Sequence, residues 1–132
     1  MRVLITGHRG YIGTVLVPMM RNRGFSVSGM DSDLYRRCTF GEDFEEIPGC
    51  RKDIRDAELS DLAGFDAVIH LAALSNDPLG NLSPEITYDV NYQGTVRLAC
   101  SLLALILLYY TQFIYFFYVF PFAIYRSIYV FA

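Results

Sequence analysis

The chain has 132 residues, enough for one domain and about half of what a two-domain enzyme requires. Its net charge of −3 comes without a stripe of basic residues, which argues against nucleic acid as a partner. The cysteines, Cys38, Cys50 and Cys100, are odd in number and lack metal-binding spacing, so we expect small buried side chains, a reducing cytoplasm and no metal site. A strand pattern begins at Val3, so we expect no signal peptide.

The first thirteen residues predict a strand, a glycine turn and the start of a helix. Residues 3–6 are an apolar run of strand length, three glycines follow at intervals of three, and a helical pattern begins at Ile12. This order is typical of a loop that binds a nucleotide pyrophosphate at a helix N-terminus. Gly7 permits a sharp turn, Gly10 lets the main chain approach the phosphates, and Gly13 lets the helix pack closely on the strand.

A second strand is predicted at residues 25–30, after the helix ends at Gly24. Asp31 follows it, 18 residues beyond Gly13. An acidic residue at this place accepts hydrogen bonds from both ribose hydroxyls of NAD, and its charge disfavours the 2′-phosphate of NADP. Residues 32–48 are polar and predict a long surface loop, in which we expect Arg36 and Arg37 to be solvated.

The middle of the chain predicts further strands and helices. Residues 49–52 are short for a strand, but residues 53–56 resemble a strand end that passes into a helix at 57–62, with Asp56 as its cap. The continuous apolar run at 66–73 predicts a parallel strand covered on both faces, in which His70 is a packed core residue rather than a catalyst.

A loop and a long helix complete the first hundred residues. Residues 75–82 contain Asn, Asp, Pro and Gly and predict a loop. Ser83 is expected to cap a helix that has Pro84 at its first position and runs to about Cys100.

The order of elements predicts an α/β fold: a Rossmann-like, doubly wound parallel sheet with right-handed crossovers. Ligands of such sheets bind at the carboxyl ends of the strands. Gly7, Asp31, Asp53 and Ala72 all fall at predicted strand ends, so we expect them at one edge of the sheet.

Five motifs in order resemble the extended short-chain dehydrogenases/reductases and, among them, the NAD-dependent epimerase/dehydratase family, which acts on nucleotide sugars. The resemblance covers about residues 1–100. The motifs are residues 6–13 (Thr-Gly-His-Arg-Gly-Tyr-Ile-Gly), Asp31, residues 53–56 (Asp-Ile-Arg-Asp), residues 70–73 (His-Leu-Ala-Ala) and residues 91–95 (Asn-Tyr-Gln-Gly-Thr).

The resemblance implies an NAD site built from the matching positions. Asp31 would bind the adenosine ribose, and Asp53 and Ile54 would border the adenine, with the Asp53 carboxylate accepting from its exocyclic amine. Asn91 would brace the active-site backbone, and residues 74–78 would face a nucleotide sugar. The residues implied to hold the pyrophosphate are Gly7, Gly10, Tyr11, Ile12 and Gly13. Those implied to line the wall beside the nicotinamide ribose are Leu71, Ala72 and Ala73.

The family's chemistry requires residues that this sequence lacks. In the family, a tyrosine exchanges a proton while C4 of the sugar exchanges a hydride with the nicotinamide, and a lysine four residues later lowers the pKa of that tyrosine. The last lysine here is Lys52, so no Tyr-x-x-x-Lys follows the predicted sheet, and residues 112–118 lack the family's paired serines. The resemblance thus implies a truncated cofactor-binding domain that is inactive alone and would meet a nucleotide sugar only with the missing half.

Residues 101–132 form a hydrophobic, aromatic-rich tail that we separate from the domain at 1–100. The tail has no Gly, Asp, Glu or Lys, and it contains 12 of the 20 Phe and Tyr residues. Three interpretations stay open. Residues 102–125 carry no charge and exceed the roughly 20 residues needed to cross a bilayer, so the chain could be membrane-associated rather than cytoplasmic. The tail could also be a degraded fifth strand, or AT-rich DNA translated out of frame.

Overall fold

The computed structural model describes residues 1–34, 36, 46–75 and 77–114 of the chain. Within them lies a parallel sheet of four strands: β1 (Arg2–Thr6), β2 (Ser26–Asp31), β3 (Gly49–Arg51) and β4 (Ala67–His70), in the order β3-β2-β1-β4. β1 pairs with β2 from Arg2 against Ser26 to Thr6 against Met30, and with β4 on its other side. The predicted parallel sheet is therefore confirmed.

Helices connect and cover these strands. They are α1 (Tyr11–Asn22), a 3-10 turn (Ile54–Asp56), α2 (Leu59–Leu62), α3 (Asp77–Gly80), α4 (Pro84–Tyr88), a π-helical segment (Asp89–Gly94) and α5 (Thr95–Ile114). The last three follow one another directly, so the chain is continuously helical from Pro84 to Ile114.

Both faces of the sheet are covered, as a doubly wound fold requires. Side chains alternate along β1, so Val3 and Ile5 pack with Val17 of α1 on one face, whereas Leu4 packs with Leu98 of α5 on the other. All five are buried. Each fully buried aliphatic side chain contributes about 1.5–3 kcal/mol to folding, so both helices are held by the central strand.

The connection between β3 and β4 differs from the prediction. Asp53, rather than Asp56, caps the first helical turn, because its carboxylate accepts a hydrogen bond from the N–H of Arg55 at 2.9 Å. Asp56 lies inside this 3-10 turn. The α-helix that follows begins only at Leu59, where the carboxylate of Asp61 accepts from the N–H of Glu58 at 2.8 Å.

Three further expectations need correction. The strand predicted at 66–73 ends at His70, and part of the loop predicted at 75–82 forms the helical turn α3. Cys50 and Cys100 are exposed rather than buried, because β3 is an edge strand and position 100 lies on the outer side of α5. Cys38, like Arg37, lies outside the described residues.

The long helix continues across Cys100 without a break, because no glycine or proline interrupts it there. Pro84–Tyr109 has the length and mean hydropathy, 1.4, of a membrane-spanning helix, and 11% of its most apolar window is buried. Core helices of soluble proteins also meet this criterion. Residues 115–132, which include most of the tail, lie outside the described part of the chain.

Candidate functional site

The carboxyl ends of all four strands border one cavity of about 290 Å³. Gly7, Asp31, Asp53 and Ala72 line it, which confirms that the residues predicted at one edge of the sheet are brought together. The chain runs from β1 outward through β2 to β3 and then crosses back to form β4 on the other side of β1. The order of strands thus reverses between β1 and β4, and doubly wound sheets bind their ligands at such a switch point.

The glycines at the two ends of the turn between β1 and α1, Gly7 and Gly13, have no room for a side chain. Gly7 has a φ of +72°, and a Cβ at this position would lie 2.7 Å from the main-chain nitrogen of Ala72. A Cβ on Gly13 would lie 2.5 Å from the carbonyl oxygen of His8. The first glycine thus lets the turn pass beside the end of β4, and the last lets α1 pack against the turn.

The N-terminus of α1 borders the cavity through its cap residue, Gly10. No side chain caps this helix and its first turn has no acidic residue. The first N–H groups of a helix have no carbonyl partner within it and form the positive end of its dipole, which attracts anions. Tyr11, Ile12 and Gly13 form this first turn and do not line the cavity, and the side chains of Tyr11 and Ile12 are exposed.

Asp31 is held in a fixed orientation at the end of β2. One carboxylate oxygen accepts from the N–H of Arg9 at 2.9 Å, and the other accepts from the N–H of Asp33 at 2.8 Å. Each carboxylate oxygen has a second lone-pair site, so both can accept one further hydrogen bond. The group can therefore receive two neighbouring hydroxyls from the cavity.

Asp33 and Arg9 also line the cavity, and no sequence pattern predicted a role for either side chain. The side chain of Asp33 is only 8% exposed, and Nη1 of Arg9 lies 3.2 Å from both of its carboxylate oxygens. The sequence offered one sign of a role for Asp33, which is its place two positions after Asp31 and three before Arg36. The pairing itself depends on how the glycine turn folds back on β2.

Asp53 and Arg55, which also line the cavity, form an ion pair. Nε of Arg55 donates to Oδ1 of Asp53 at 3.1 Å, and Nη2 donates to Oδ2 at 2.9 Å. These hydrogen bonds hold the pKa of Asp53 below its usual value, so the carboxylate stays charged at neutral pH. Oδ2 keeps one free lone-pair site for a ligand. Ile54 also lines the cavity, although most of its side chain is buried in the core.

A chain of hydrogen bonds through His70 positions the end of β4. Thr95 donates its hydroxyl proton to the carbonyl of Asn91 at 2.7 Å, so Nε2 of His70, 2.9 Å away, is the donor to Thr95. Nδ1 then accepts from the hydroxyl of Thr6 at 2.6 Å, and the same hydroxyl oxygen accepts from the N–H of Leu71 at 3.2 Å. Burial lowers the pKa of His70, which keeps the ring neutral as this arrangement requires. His70 does not line the cavity.

Asn91 braces the same stretch of chain from the π-helical segment. Its side-chain oxygen accepts from the N–H of Leu74 at 2.8 Å, and its amide nitrogen donates to the carbonyl of Leu74 at 2.9 Å. Leu71, Ala72 and Ala73, just before this brace, line the cavity, whereas Asn91 does not. Asn91 therefore acts on the cavity through the main chain that it holds.

Residues 3–115 match the model of the NAD dependent epimerase/dehydratase family. This chain belongs to that family. The glycine turn, Asp31 at the end of β2 and the braced wall after β4 all lie within the matched residues.

Several members of the family are similar to this chain. UDP-glucose 4-epimerase from Mycolicibacterium smegmatis is 35% identical over 105 residues, which cover 75% of this chain and 34% of that protein. UDP-glucose 4-epimerase from Pisum sativum is 31% identical over 110 residues, covering 74% and 31%. This chain thus spans about one third of the length of these relatives.

Solved structures of epimerases share the fold. The UDP-glucose 4-epimerase of Thermus thermophilus in complex with NAD superposes with a TM-score of 0.62 at 30% identity, covering 76% of this chain and 33% of that one. The UDP-glucose-4-epimerase of Stenotrophomonas maltophila, with bound NAD and formylated UDP-arabinopyranose, gives 0.64 at 26% identity, covering 78% and 33%.

The residues around the cavity fit the dinucleotide that the family's name specifies. The uncapped N-terminus of α1 borders the cavity at Gly10, and Asp31 offers two oriented acceptors. Among the residues that the structure describes, no group of three or more His, Cys, Asp or Glu side chains is placed to hold a metal ion.

A second, more open cavity lies beyond the brace, between Leu74 and helix α4. Leu74 and Ser75 line it, together with Tyr88 and Tyr92, whose rings stack at 4.9 Å between centroids. The stretch that the resemblance placed opposite a nucleotide sugar, residues 74–78, begins at this second cavity.

Proposed function

We propose that this chain binds NAD in the cavity at the carboxyl ends of its strands, as the cofactor-binding part of a nucleotide-sugar epimerase or dehydratase fold. The observation that carries the proposal is the carboxylate of Asp31, which lines the cavity and is oriented by the main-chain N–H groups of Arg9, in the glycine turn, and of Asp33. Two adjacent ribose hydroxyls match a pair of oriented acceptors, which a phosphate or a second carboxylate would not.

Three groups of residues would hold NAD, one for each part of the cofactor. Gly7, Gly10 and the first turn of α1, with Tyr11, Ile12 and Gly13, would surround the pyrophosphate. Asp53 and Ile54 would border the adenine. Leu71, Ala72 and Ala73 would form the wall beside the nicotinamide ribose, with Asn91 holding that wall in place.

We propose that this chain binds NAD and does not by itself catalyse a reaction on a nucleotide sugar. NAD, when bound, supplies the hydride acceptor for oxidation at C4 of a nucleotide sugar. The 132 residues contain no lysine after Lys52, so the proton transfer that accompanies hydride transfer has no Tyr-x-x-x-Lys pair. We therefore assign the cofactor site to residues 1–100 and no catalytic role to residues 101–132. A nucleotide sugar would be bound only together with residues outside this chain.

Calorimetric titration of NAD into the full chain tests the proposal. Asp31→Ala removes both oriented acceptors, and each hydrogen bond to a charged group is worth about 1.5–3 kcal/mol, so binding should weaken at least about tenfold. Asp56→Ala is the matched control, because Asp56 is exposed and does not line the cavity. Equal affinity for the wild-type chain and Asp31→Ala, or no binding by the wild-type chain, would show the proposal to be wrong.

A second candidate function is a dinucleotide-binding module that its C-terminal helix tethers to a membrane. It is favoured by the apolar side chains of α5 that face outward: Leu103, Ile106, Leu107, Leu108 and Tyr109 are all more than half exposed. Fractionation of cells that express the full chain distinguishes the two. Recovery in the membrane fraction, retained after a high-salt wash and released by detergent, supports the tether, and recovery in the soluble fraction excludes it.

A further inference from the structure

We infer that Asp33 sets the preference of this site for NAD over NADP, by binding two arginines that would otherwise be free to contact a 2′-phosphate. The inference rests on the proposed NAD site and adds a specificity-determining residue to it. Asp33 is distinct from Asp31, the acidic residue that the sequence pattern identifies.

Asp33 links the end of β2 to the glycine turn, at the part of the cavity where the adenosine ribose would bind. Its main-chain N–H donates to Asp31 at 2.8 Å, and its carboxylate accepts from Nη1 of Arg9 at 3.2 Å through both oxygens. Nε of Arg36 lies 3.8 Å from one of these oxygens. Asp31, Asp33, Arg9 and Arg36 all line the cavity, so their charges face the same ligand.

Asp33 combines a left-handed backbone with a buried carboxylate. Its φ is +60°, a conformation that residues other than glycine seldom adopt, although asparagine and aspartate adopt it more often than the rest, and its carboxylate is almost fully buried. Residues in such conformations concentrate at binding sites, where the surrounding structure holds them in place. Here Asp33 orients Asp31 through its main-chain N–H and accepts hydrogen bonds from the guanidinium of Arg9 in the glycine turn, which suits a role in ligand selection.

Charge at the cavity explains the expected selectivity. With Asp33 present, the carboxylates of Asp31 and Asp33 balance the guanidinium groups of Arg9 and Arg36, so these four groups offer a phosphate no net positive charge. Without the Asp33 carboxylate, Arg9 is unpaired beside the glycine turn, and the balance becomes positive. A guanidinium binds phosphate strongly through paired, charge-assisted hydrogen bonds.

The test compares NAD and NADP binding to the full chain and to Asp33→Asn. Asparagine is nearly isosteric and tolerates a positive φ, so the backbone should be kept. We expect the ratio of the Kd for NADP to the Kd for NAD to fall about tenfold or more, mainly because NADP binds more tightly. Added salt should weaken the gained NADP binding more than NAD binding, because the new contact is ionic.

Two further variants identify the cause. Arg9→Gln combined with Asp33→Asn should remove most of the gained NADP affinity, since the guanidinium that lies closer to Asp33 is then absent and only Arg36 remains released. Asp56→Asn removes the same charge from an exposed site outside the cavity and should leave the ratio unchanged. If Asp33→Asn does not fold, Asp33→Gly makes the same test, because glycine adopts the required φ freely.

A gain of NADP affinity that depends on Arg9 supports the inference, and general damage to the fold would lower both affinities instead. Tight NAD binding with no gain of NADP affinity in the Asp33 variants overturns the inference and leaves the NAD site standing. An equal gain in Asp56→Asn also overturns it, because the effect would then be one of net charge. No NAD binding by the wild-type chain overturns the inference and the proposed function together.

Discussion

At the scale of single residues, Gly7 is a position where both the fold and the cavity constrain the chain. It combines a positive φ with close main-chain neighbours on two sides, Met30 and Ala72. A side chain here would force the end of β1 away from the end of β4, and this is where the cavity lies.

Gly7→Ala and Gly24→Ala together separate conformational strain from steric conflict. Both glycines have a positive φ, +72° and +83°, but a Cβ on Gly24 would meet nothing within 4 Å. Gly24→Ala should lower the free energy of unfolding by about 1–2 kcal/mol, the cost of the left-handed conformation. Gly7→Ala should cost at least about 1 kcal/mol more, because the Cβ meets the main chain of Ala72. Urea denaturation measures both, and equal losses would contradict the packing described at the glycine turn.

His8 and His70 predict how stability depends on pH. Burial lowers the pKa of both rings, so the unfolded chain takes up protons at a higher pH than the folded chain does. The free energy of unfolding should therefore decrease as the pH falls below about 6.5, by at most about 1.4 kcal/mol per pH unit for each histidine, and level off below the lowered pKa values.

Thermal or urea unfolding at several pH values between 7 and 5 measures this dependence. In His70→Gln the residue at position 70 no longer titrates, while a glutamine amide keeps one donor and one acceptor for Thr6 and Thr95. The slope should therefore be smaller in this variant. An unchanged slope would contradict a neutral His70 in the folded chain.

The residues that the sequence identified are those whose roles follow from a local pattern. Gly7, Gly13 and Asp31 were predicted because a strand, a turn and a helix fix their positions within a few residues. Asp33 and Arg9 were missed because their pairing links two segments of the chain, at a distance that only the folded turn defines. The prediction that Asp56 caps a helix at 57–62 was wrong, because Asp56 lies in a separate 3-10 turn capped by Asp53 and the α-helix begins only at Leu59.

At the scale of elements, the π-helical segment determines which side chain of the long helix reaches the cavity wall. A wider helical turn at Asp89–Gly94 precedes α5, and Asn91 within it binds both polar groups of the Leu74 main chain. Such segments are rare and frequently occur at functional sites. Here Asn91 links the long helix to residues 71–74, which follow β4 and line the cavity.

Asn91→Ala should weaken NAD binding about tenfold, because it removes two hydrogen bonds that position residues 71–74. The amide proton of Leu74 should also exchange faster with solvent. Gln93→Ala is the control, since Gln93 is exposed on the same segment. Hydrogen exchange and NAD titration measure the two effects, and unchanged exchange at Leu74 would contradict the brace.

The elements themselves were largely predictable from periodicity. β1 and β4 appeared as apolar runs and α1 as an amphipathic pattern, because burial on a sheet imposes these spacings. β3 is a three-residue exposed edge strand and carries no such pattern. The length of the last helix was not predicted, because a change in composition near Cys100 marks no helix end. No residue there terminates a helix, and the chain remains helical to Ile114.

At the scale of the whole molecule, the parallel sheet and its cavity account for about one third of the length of the similar epimerases. The fold was predictable because alternating strands and helices allow few topologies other than a doubly wound sheet. The tail was not predictable, because its composition fits several structures equally well. Residues 115–132 lie outside the described part of the chain.

The full chain with NAD and UDP-glucose should form no reduced nicotinamide and no epimerised sugar. This expectation rests on the proposed function, in which the proton transfer needs a Tyr-x-x-x-Lys pair that the 132 residues do not contain. Absorbance of the reduced cofactor and chromatography of the sugar measure both products. Turnover by the purified chain would show that another group performs the proton transfer.

The most direct test of the proposed cofactor site is a map of where NAD binds. Two-dimensional amide NMR of the full chain, recorded with and without NAD, reports on each main-chain N–H. We predict that the largest shifts fall on residues 7–13 of the glycine turn and first helical turn, on Asp31 and Asp33, on residues 53–54, and on residues 71–74. Shifts confined to the cavity at Tyr88 and Tyr92 or to α5, or no shifts at all, would contradict a cofactor site at the strand ends.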